Sequence, residues 1–338
     1  MSSIPGTIDF ASPLRGHDVA ISSAQRRLRM LRLSITSKCN FRCCYCIPPE
    51  GVSKVAHAEL LRLERLGELV AWLCGETGIN RVRLTGGEPL VRRGVVNLIG
   101  IISALPQIEE VTLTTNGSLL AGMANSLKLA GLKRVNISLD SLDQARFAAI
   151  TRGGELRKTL AGIEAAIAVD LAPVKLNAVL HRSTWKQDVP LLLDFAAEKR
   201  LEIRFIELMR TGTERAWCDS EFVSAREVCE GLQIEASRAG ELTNSSAQRT
   251  TISWRGEPLI VGWITPRSHP FCAKCERLRM DAQGKLRRCL MDAATFDLHS
   301  VLQNEGPFLG QRSFRRFLAG KRPPKAMDNV IPMSQVGG

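Results

Sequence analysis

The sequence has no long apolar runs and few aromatic residues, and both shortages exclude classes of protein. None of its 338 residues belongs to an uninterrupted apolar run of the roughly 18–20 residues that a membrane-spanning helix needs, so no membrane partner is predicted. The first residues show no basic region followed by an apolar stretch, and we therefore expect a cytoplasmic protein. Aromatic residues make up only 5% of the chain, and Tyr45 is its single tyrosine. The sequence thus offers no evident platform for stacking single-stranded bases, which argues against a nucleic-acid partner.

Acidic residues are also in the minority. The chain has 46 lysines and arginines against 34 acidic residues, which gives a formal net charge of +12. Such an excess indicates either a solvated basic surface or a polyanionic partner, and that partner can be a nucleic acid or a phosphorylated small molecule. The charge alone does not decide between them.

Cysteine, by contrast, is abundant. In a reducing compartment, ten cysteines indicate metal binding or catalysis rather than disulfides. A first group follows the first predicted strand with the spacing C-x3-C-x2-C and consists of Cys39, Cys43 and Cys46. Three thiolates on one loop can hold three irons of a cubane and leave the fourth iron open. They can also belong to a tetrahedral zinc site, although a structural zinc needs a fourth ligand that the neighbouring sequence does not provide.

A second cysteine group lies near the end of the chain. It has the spacing C-x2-C-x13-C and consists of Cys272, Cys275 and Cys289. Zinc is again an alternative, with His269 as the fourth ligand. However, Arg277 and Arg279 follow directly, and cations beside a cluster with an open iron would suit an anionic substrate.

From residue 31 onward, strand and helix patterns alternate. Six strands are predicted, at Leu31–Thr36, Arg81–Thr85, Glu110–Thr114, Arg134–Ser138, Val174–Val179 and Glu202–Glu207. The helical patterns between them include Ala58–Cys74, Ser118–Ala130, Leu156–Val169 and Asp188–Lys199. Such alternation implies right-handed βαβ units and a parallel sheet. Six units are too few for a closed eight-stranded barrel, so either an open barrel or a doubly wound sheet is expected.

The strands themselves favour the open barrel. Apolar and polar residues alternate within them, as in Arg32-Leu33-Ser34, and period two places the two sets on opposite faces. The apolar set packs against helices, and an open barrel that holds a large anionic ligand can accommodate the cations of the polar set. The alternative, a sheet with one solvated face, is rare for βαβ topology. We therefore predict an incomplete (βα)6 barrel of the triosephosphate-isomerase type over residues 1–209, with an arm at 1–29. The C-terminal region, residues 210–338, would cover the open side, with short strands and a turn at Arg255–Pro258.

The first cysteine group resembles the signature of the radical S-adenosylmethionine family, in which an aromatic residue, here Tyr45, precedes the last cysteine. The segment Gly86-Gly87-Glu88-Pro89 after the second strand resembles the GGEP element of that family, which binds the methionine amino group. Glu88 and nearby carbonyls would accept hydrogen bonds from it. The resemblance implies a [4Fe-4S] cluster whose open iron chelates S-adenosylmethionine. It also implies one-electron cleavage of that cofactor to methionine and a 5′-deoxyadenosyl radical.

The two cysteine groups together, with R-L-R directly after the second pair, resemble the GTP 3′,8-cyclase family of molybdenum cofactor biosynthesis. Further matching stretches are Leu31–Cys46, Val82–Arg93, Thr114–Gly117, Arg134–Leu142, Val174–Val179, Arg204–Met209 and Ser268–Arg279. The terminal Gly337 and Gly338 match a double-glycine tail. Arg81, where lysine is expected, and Arg210, where proline is usual, depart from the family pattern.

This second resemblance implies two [4Fe-4S] clusters and a set of site residues. The residues that would contact S-adenosylmethionine are Tyr45, Gly87, Ser138 and Met209. The residues that would contact GTP are Arg32, Arg83, Thr114, Lys175, Arg204, Arg277, Leu278 and Arg279. Gly337 and Gly338 would reach into the active site and assist the radical step.

The family reaction begins when the deoxyadenosyl radical removes H3′ of GTP, and it ends at 3′,8-cyclo-7,8-dihydro-GTP. The resemblance further implies an electron donor such as a flavodoxin or ferredoxin, a downstream cyclic pyranopterin monophosphate synthase, and a homodimer. One alternative is a radical S-adenosylmethionine peptide maturase with an auxiliary cluster, although such enzymes usually have more C-terminal cysteines. Another, from a different class, is a zinc-stabilised nucleic-acid-binding protein.

Overall fold

The computed structural model describes residues 28–48, 51, 55–56, 59–211, 215–238, 247–272, 275–323 and 328–329. The arm predicted at residues 1–29 therefore lies outside the described residues except for its last two. The tail glycines Gly337 and Gly338 also lie outside them, so the role predicted for them stays a prediction.

All six predicted strands are present. The end of β1 differs from the prediction by two residues, and every other bound agrees to within one residue. They are β1 Met30–Ser34, β2 Arg81–Thr85, β3 Glu110–Thr115, β4 Arg134–Ser138, β5 Lys175–Leu180 and β6 Glu202–Glu207. The remaining described strands are β7 Arg210–Thr211, β8 Ala236–Arg238, β9 Gln248–Trp254, β10 Glu257–Ile264, β11 Arg277–Met280, β12 Lys285–Arg287, β13 Phe296–Asp297 and β14 Asp328–Asn329.

The described helices follow the strands in chain order. They are α1 Leu63–Thr77, α2 Val95–Ser103, α3 Ala124–Leu129, α4 Gln144–Thr151, α5 Leu156–Ala168, α6 Trp185–Glu198, α7 Arg215–Ser220, α8 Ala225–Gly231 and α9 Leu298–Ala319, which is kinked at Gly306. The first two predicted helices begin too early. A bend and irregular backbone at residues 60–62 precede α1, and turns at residues 118–123 precede α3. Among these helices, none combines the length and apolarity that a membrane crossing demands.

The sheet has the order β13-β12-β11-β1-β2-β3-β4-β5-β6-β10-β9-β8. All neighbours from β11 through β10 are parallel, and the outer strands are antiparallel. The six-stranded open barrel is therefore confirmed. The C-terminal region also does something that was not predicted: it adds a parallel strand to each edge, β11 beside β1 and β10 beside β6. The predicted turn between its strands is the β9–β10 hairpin, with Arg255 and Gly256 at φ values of 50° and 88°.

Burial explains why the sheet has two different faces. The apolar members of each strand, for example Leu31 and Leu33 of β1, are fully buried against the helices. Helix α1 presents Leu66, Leu69 and Leu73 to the same core at helical spacing. The polar members of the strands face the opposite side, where the cavity lies.

Candidate active site

Both cysteine groups line a single cavity. Its wall includes all six predicted ligands, Cys39, Cys43, Cys46, Cys272, Cys275 and Cys289. The first three lie on the loop after β1, at the end of the parallel strands where barrels of this type carry their sites. The last three come from the C-terminal region, whose strand β11 pairs with β1. Two sites more than two hundred residues apart in sequence are thus combined by one strand pairing.

The loop that carries the first cysteine group is fixed by helix α4. The main-chain N–H of Cys44 donates to the carbonyl oxygen of Ile150 at 2.9 Å. The guanidinium of Arg152 donates to the carbonyl of Ile47 at 2.8 Å. Phe41 packs edge-on against Phe147, with ring centroids 6.0 Å apart. The three thiols are therefore presented by a rigid loop.

The glycines after β2 let that turn approach the cysteine loop closely. The N–H of Gly87 donates to the carbonyl of Thr36 at 2.7 Å. A Cβ at Gly87 would lie 2.4 Å from the carbonyl oxygen of Lys38, a distance that real structures do not allow. Glycine is therefore required here by packing, independently of any ligand.

Glu88 is engaged differently from the prediction. Its buried carboxylate accepts hydrogen bonds from the hydroxyl of Thr115 at 2.8 Å and from the N–H groups of Asn116 at 2.7 Å and Leu90 at 3.0 Å. Burial raises the pKa of Glu88 to about 7. Although Glu88 lines the cavity, these bonds make it a link between the turns after β2 and β3.

The four residues expected to contact S-adenosylmethionine all line the cavity, and they are Tyr45, Gly87, Ser138 and Met209. The Tyr45 hydroxyl donates to Asp140 Oδ2 at 2.8 Å. The other carboxylate oxygen of Asp140 accepts from the N–H of Val179 at 2.8 Å. Burial raises the pKa of Asp140 to about 6. Sequence analysis missed Asp140, although it stands two residues after Ser138.

Strand register builds a lateral row of three arginines across the cavity wall. Arg32 of β1 pairs with Arg279 of β11 on one side and with Arg83 of β2 on the other. All three side chains line the cavity, as does Arg204. Burial, followed by repulsion from the neighbouring arginines, lowers the pKa of Arg32 well below its ordinary value. The same causes lower the pKa of Arg83 to about 9 and that of Arg279 to about 10.

Such a row is electrostatically unfavourable until an anion binds to it, because buried like charges repel one another. Two buried side-chain oxygens, on strands β3 and β5, add further polar groups that lack a partner among the described residues. Thr114 Oγ1 and Asn177 Oδ1 have no hydrogen-bond partner within the described part of the chain, and both residues line the cavity. The wall therefore fits a large anionic ligand that also offers hydrogen-bond donors.

Two residues expected to contact GTP do not line the cavity. The ammonium of Lys175 donates to Glu202 Oε2 at 2.6 Å, and Glu202 Oε1 accepts from Arg204 Nε at 2.8 Å. Lys175 is the first residue of β5 and lies two residues before Asn177, which does line the cavity. Leu278 is fully buried in the apolar core, because period two turns it away from Arg277 and Arg279. The contact with GTP that was expected of Leu278 therefore cannot involve its side chain, and a main-chain contact stays a prediction.

The second cysteine group lies among cations. Arg277 Nε is 3.4 Å from Cys275 Sγ, and Lys321 donates to the carbonyl of Arg277 at 2.9 Å. Although burial opposes it, the charges of Arg277 and Lys321 lower the pKa of Cys275 to about 7. Arg288, Lys321 and Arg322 also line the cavity. Sequence analysis assigned no role to Lys321 or Arg322, since neither belongs to a motif.

Zinc ligation finds little support in this geometry. His269, the suggested fourth ligand, makes a 3.0 Å hydrogen bond with the hydroxyl of Ser268 and does not line the cavity. In the ranges that the structure describes, no three His, Cys, Asp or Glu side chains are arranged to hold a single metal ion. Two sets of three thiols line one cavity, and the described residues offer neither set a fourth ligand. This is the donor set that clusters with an open iron require.

Comparison with known families agrees with this arrangement. Residues 33–196 match the radical SAM superfamily, and residues 201–323 match the family described as Molybdenum Cofactor Synthesis C. The crystal structure of Streptococcus suis SuiB bound to S-adenosylmethionine is 16% identical, with a TM-score of 0.57, over 86% of this chain and 68% of that one. That likeness concerns the fold. The chain is thus a radical SAM protein with a molybdenum-cofactor-type C-terminal region.

Closer relatives specify the family. The GTP 3′,8-cyclase of Moorella thermoacetica is 42% identical over 93% of this chain and 98% of its own length. That of Pelotomaculum thermopropionicum is 41% identical over 82% of this chain and 86% of its own length. The chain belongs to the GTP 3′,8-cyclase family.

Proposed function

We propose that this protein converts GTP to 3′,8-cyclo-7,8-dihydro-GTP, using S-adenosylmethionine and two [4Fe-4S] clusters. The observation that carries the proposal is the single cavity lined by both three-cysteine sites and by a row of arginines. Family membership supports the same reaction. When bound, the first cluster and S-adenosylmethionine supply the 5′-deoxyadenosyl radical that removes H3′ of the substrate.

The residues of the chain itself bind and orient the reactants. Tyr45, Gly87, Ser138 and Met209 surround the first cysteine site and form the pocket for S-adenosylmethionine. Arg32, Arg83, Arg279 and Arg204 bind the triphosphate, whose charge offsets their mutual repulsion. Arg277, beside Cys275, orients the guanine end against the second cluster. Lys175 joins the phosphate site only through its neighbour Arg204, with which it shares Glu202.

The tail glycines remain a separate proposal. Strand β14, Asp328–Asn329, pairs with β7, which begins directly after the cavity residue Met209. The chain is therefore anchored beside the cavity nine residues before its last residue, Gly338. Removal of Gly337 and Gly338 is expected to abolish cyclised product while cluster content stays unchanged.

Domain division and partners are also proposed. The partial barrel extends over residues 1–209, and the remainder contributes the second cysteine site. A cluster held by Cys39, Cys43 and Cys46 would supply one-electron chemistry, and this would require a low-potential donor such as a flavodoxin or ferredoxin to dock on the protein. The product then requires a cyclic pyranopterin monophosphate synthase. We propose that the protein, its electron donor and the synthase all act in the cytoplasm.

The test is an anaerobic assay of the reconstituted protein with S-adenosylmethionine, dithionite and GTP. We expect 5′-deoxyadenosine together with a product that oxidises to a fluorescent pterin, and we expect neither with ATP in place of GTP. Deoxyadenosine without pterin would favour a different substrate, such as the peptide of a maturase. Zinc in place of iron and acid-labile sulfide would contradict the proposal altogether.

A further inference from the structure

Lys321 is a buried lysine just beyond the end of the longest described helix. Helix α9 ends at Ala319, and only 5% of the surface of Lys321 is exposed. Lys321 also lines the cavity. Burying an ammonium group costs free energy unless the fold supplies acceptors or negative charge, so its place requires an explanation.

The ammonium joins the two segments that carry the second cysteine site. Nζ donates to the main-chain carbonyl of Arg277 at 2.9 Å and also to that of Arg288. Arg277 follows Cys275 by two residues, and Arg288 immediately precedes Cys289. Strands β11 and β12, which connect these segments, pair with each other at Arg279 and Arg287. The Lys321 side chain adds a second link between the two segments, at the end of the hairpin where the cysteines lie.

The charge of Lys321 acts on the same site. Its ammonium bonds to main-chain atoms two residues after Cys275 and directly before Cys289, so its positive charge lies beside the segments that carry both of these thiols. A cluster held by three thiolates carries net negative charge, and a nucleoside triphosphate carries more. One buried cation at this position therefore stabilises both.

We propose that Lys321 is a positioning residue of the second cysteine site, which holds the loops of Cys275 and Cys289 together and supplies positive charge to the cluster and the substrate between them. This inference rests on the proposed function. It predicts that neutralising Lys321 changes the second cluster and the affinity for GTP.

The experiment uses the full-length, reconstituted protein with Cys39, Cys43 and Cys46 replaced by alanine, so that the second site contributes the whole iron–sulfur signal. The Lys321→Met, Lys321→Gln and Lys321→Arg variants are made in this background. The matched control is Lys285→Met, which neutralises a half-buried lysine of β12 that does not line the cavity. Midpoint potential, iron content and the GTP-dependent change of the electron paramagnetic resonance spectrum are measured.

We expect Lys321→Met and Lys321→Gln to make the midpoint potential more negative, because a positive charge beside the cluster is lost. The dissociation constant for GTP should rise about tenfold, as for loss of one charge-assisted contact. Lys321→Arg should retain the potential, and Lys285→Met should match the parent in both measurements. Failure of the Met variant to load iron, while the Arg variant loads it fully, would also support the role.

Unchanged potential and GTP affinity in the Met and Gln variants, with full iron content, would overturn the proposal. An equal shift of the midpoint potential in Lys285→Met would also overturn it, since that would show only a general effect of the charge of the protein. If GTP perturbs neither parent nor variants while the potential still shifts, the substrate assignment fails and the role of Lys321 at the cluster stands.

Discussion

The two cysteine sites line one cavity, yet their electrostatic surroundings are opposite. At the first site, burial raises the pKa of Cys39 to about 11, with a further contribution from Glu88. Burial, together with Asp140, also raises the pKa of Cys43 well above its ordinary value. At the second site, burial also raises the pKa of Cys272, but the charges of Arg277 and Lys321 lower that of Cys275 to about 7 in spite of burial.

This difference matches the charges of the two reactants. S-adenosylmethionine carries a sulfonium and an ammonium group, which suit a site bordered by the carboxyl groups of Glu88 and Asp140. A nucleoside triphosphate carries several negative charges, which suit the arginine row and the cations around the second site. Under the proposed function, this difference in charge along one cavity would orient the two ligands before any chemistry begins.

The largest expected effect comes from removing one cysteine at either site. Cys43→Ala should abolish both deoxyadenosine and cyclised product, because the radical originates at the first site. Cys275→Ala should abolish the cyclised product and leave deoxyadenosine formation measurable. Liquid chromatography of both products checks this, with Cys74→Ala in the apolar core as the control. If Cys43→Ala and Cys275→Ala lost deoxyadenosine formation equally, the radical would not originate at the first site alone, and the prediction would be wrong.

Breaking the arginine row should have the next largest effect. We expect Arg279→Ala to lower kcat/KM for GTP about a hundredfold, since a charge-assisted phosphate contact is lost. The affinity for S-adenosylmethionine should be unchanged. Arg255→Ala, at the exposed β9–β10 turn, serves as the control. If the affinity for S-adenosylmethionine fell as much as kcat/KM for GTP, the arginine row would not discriminate between the two ligands.

Gly87→Ala tests the close packing around the first site. The added methyl group meets the Lys38 carbonyl and must displace the cysteine loop, so the dissociation constant for S-adenosylmethionine should rise about tenfold. Gly100→Ala in helix α2 meets open space and should leave binding unchanged, while it stabilises the fold by about 0.5–1 kcal/mol. Spectroscopic titration of the reduced cluster measures the affinity. Unaltered affinity in Gly87→Ala would show that the loop tolerates displacement.

The smallest expected effect concerns pH. The pKa of Glu88 is raised to about 7 in the fold, above its ordinary value, so the folded state binds more protons between roughly pH 4.5 and 7. The contribution of Glu88 to the free energy of unfolding therefore falls as pH rises through this window. In denaturant unfolding, the free energy of unfolding of Glu88→Gln should fall less than that of the parent over the same pH range. Parallel pH dependences in the two proteins would contradict the buried, partly protonated state of Glu88.

Much of the fold was predictable because its signals are local. Period-two alternation located β1 to β6, since it depends only on which neighbours are apolar. Helix starts were less predictable, as for α3, where the turn residues 118–123 share the composition of a first helical turn. The edge strands β10 and β11 could not be assigned to the barrel, because their partners β6 and β1 lie far away in sequence.

The site divides in the same way. By itself, the sequence determined the two cysteine groups and the glycine-rich turn, because ligands on one short loop are held together by the chain that links them. It also determined the basic character of the strands. Only the tertiary structure decided that Arg279 lies beside Arg32, because this depends on the pairing of β11 with β1. It alone also decided that Lys321 bonds to the carbonyls of Arg277 and Arg288, because this depends on the packing of α9 against β12 and β13. It also decided that Leu278 belongs to the core, because a strand can point only alternate residues toward the cavity.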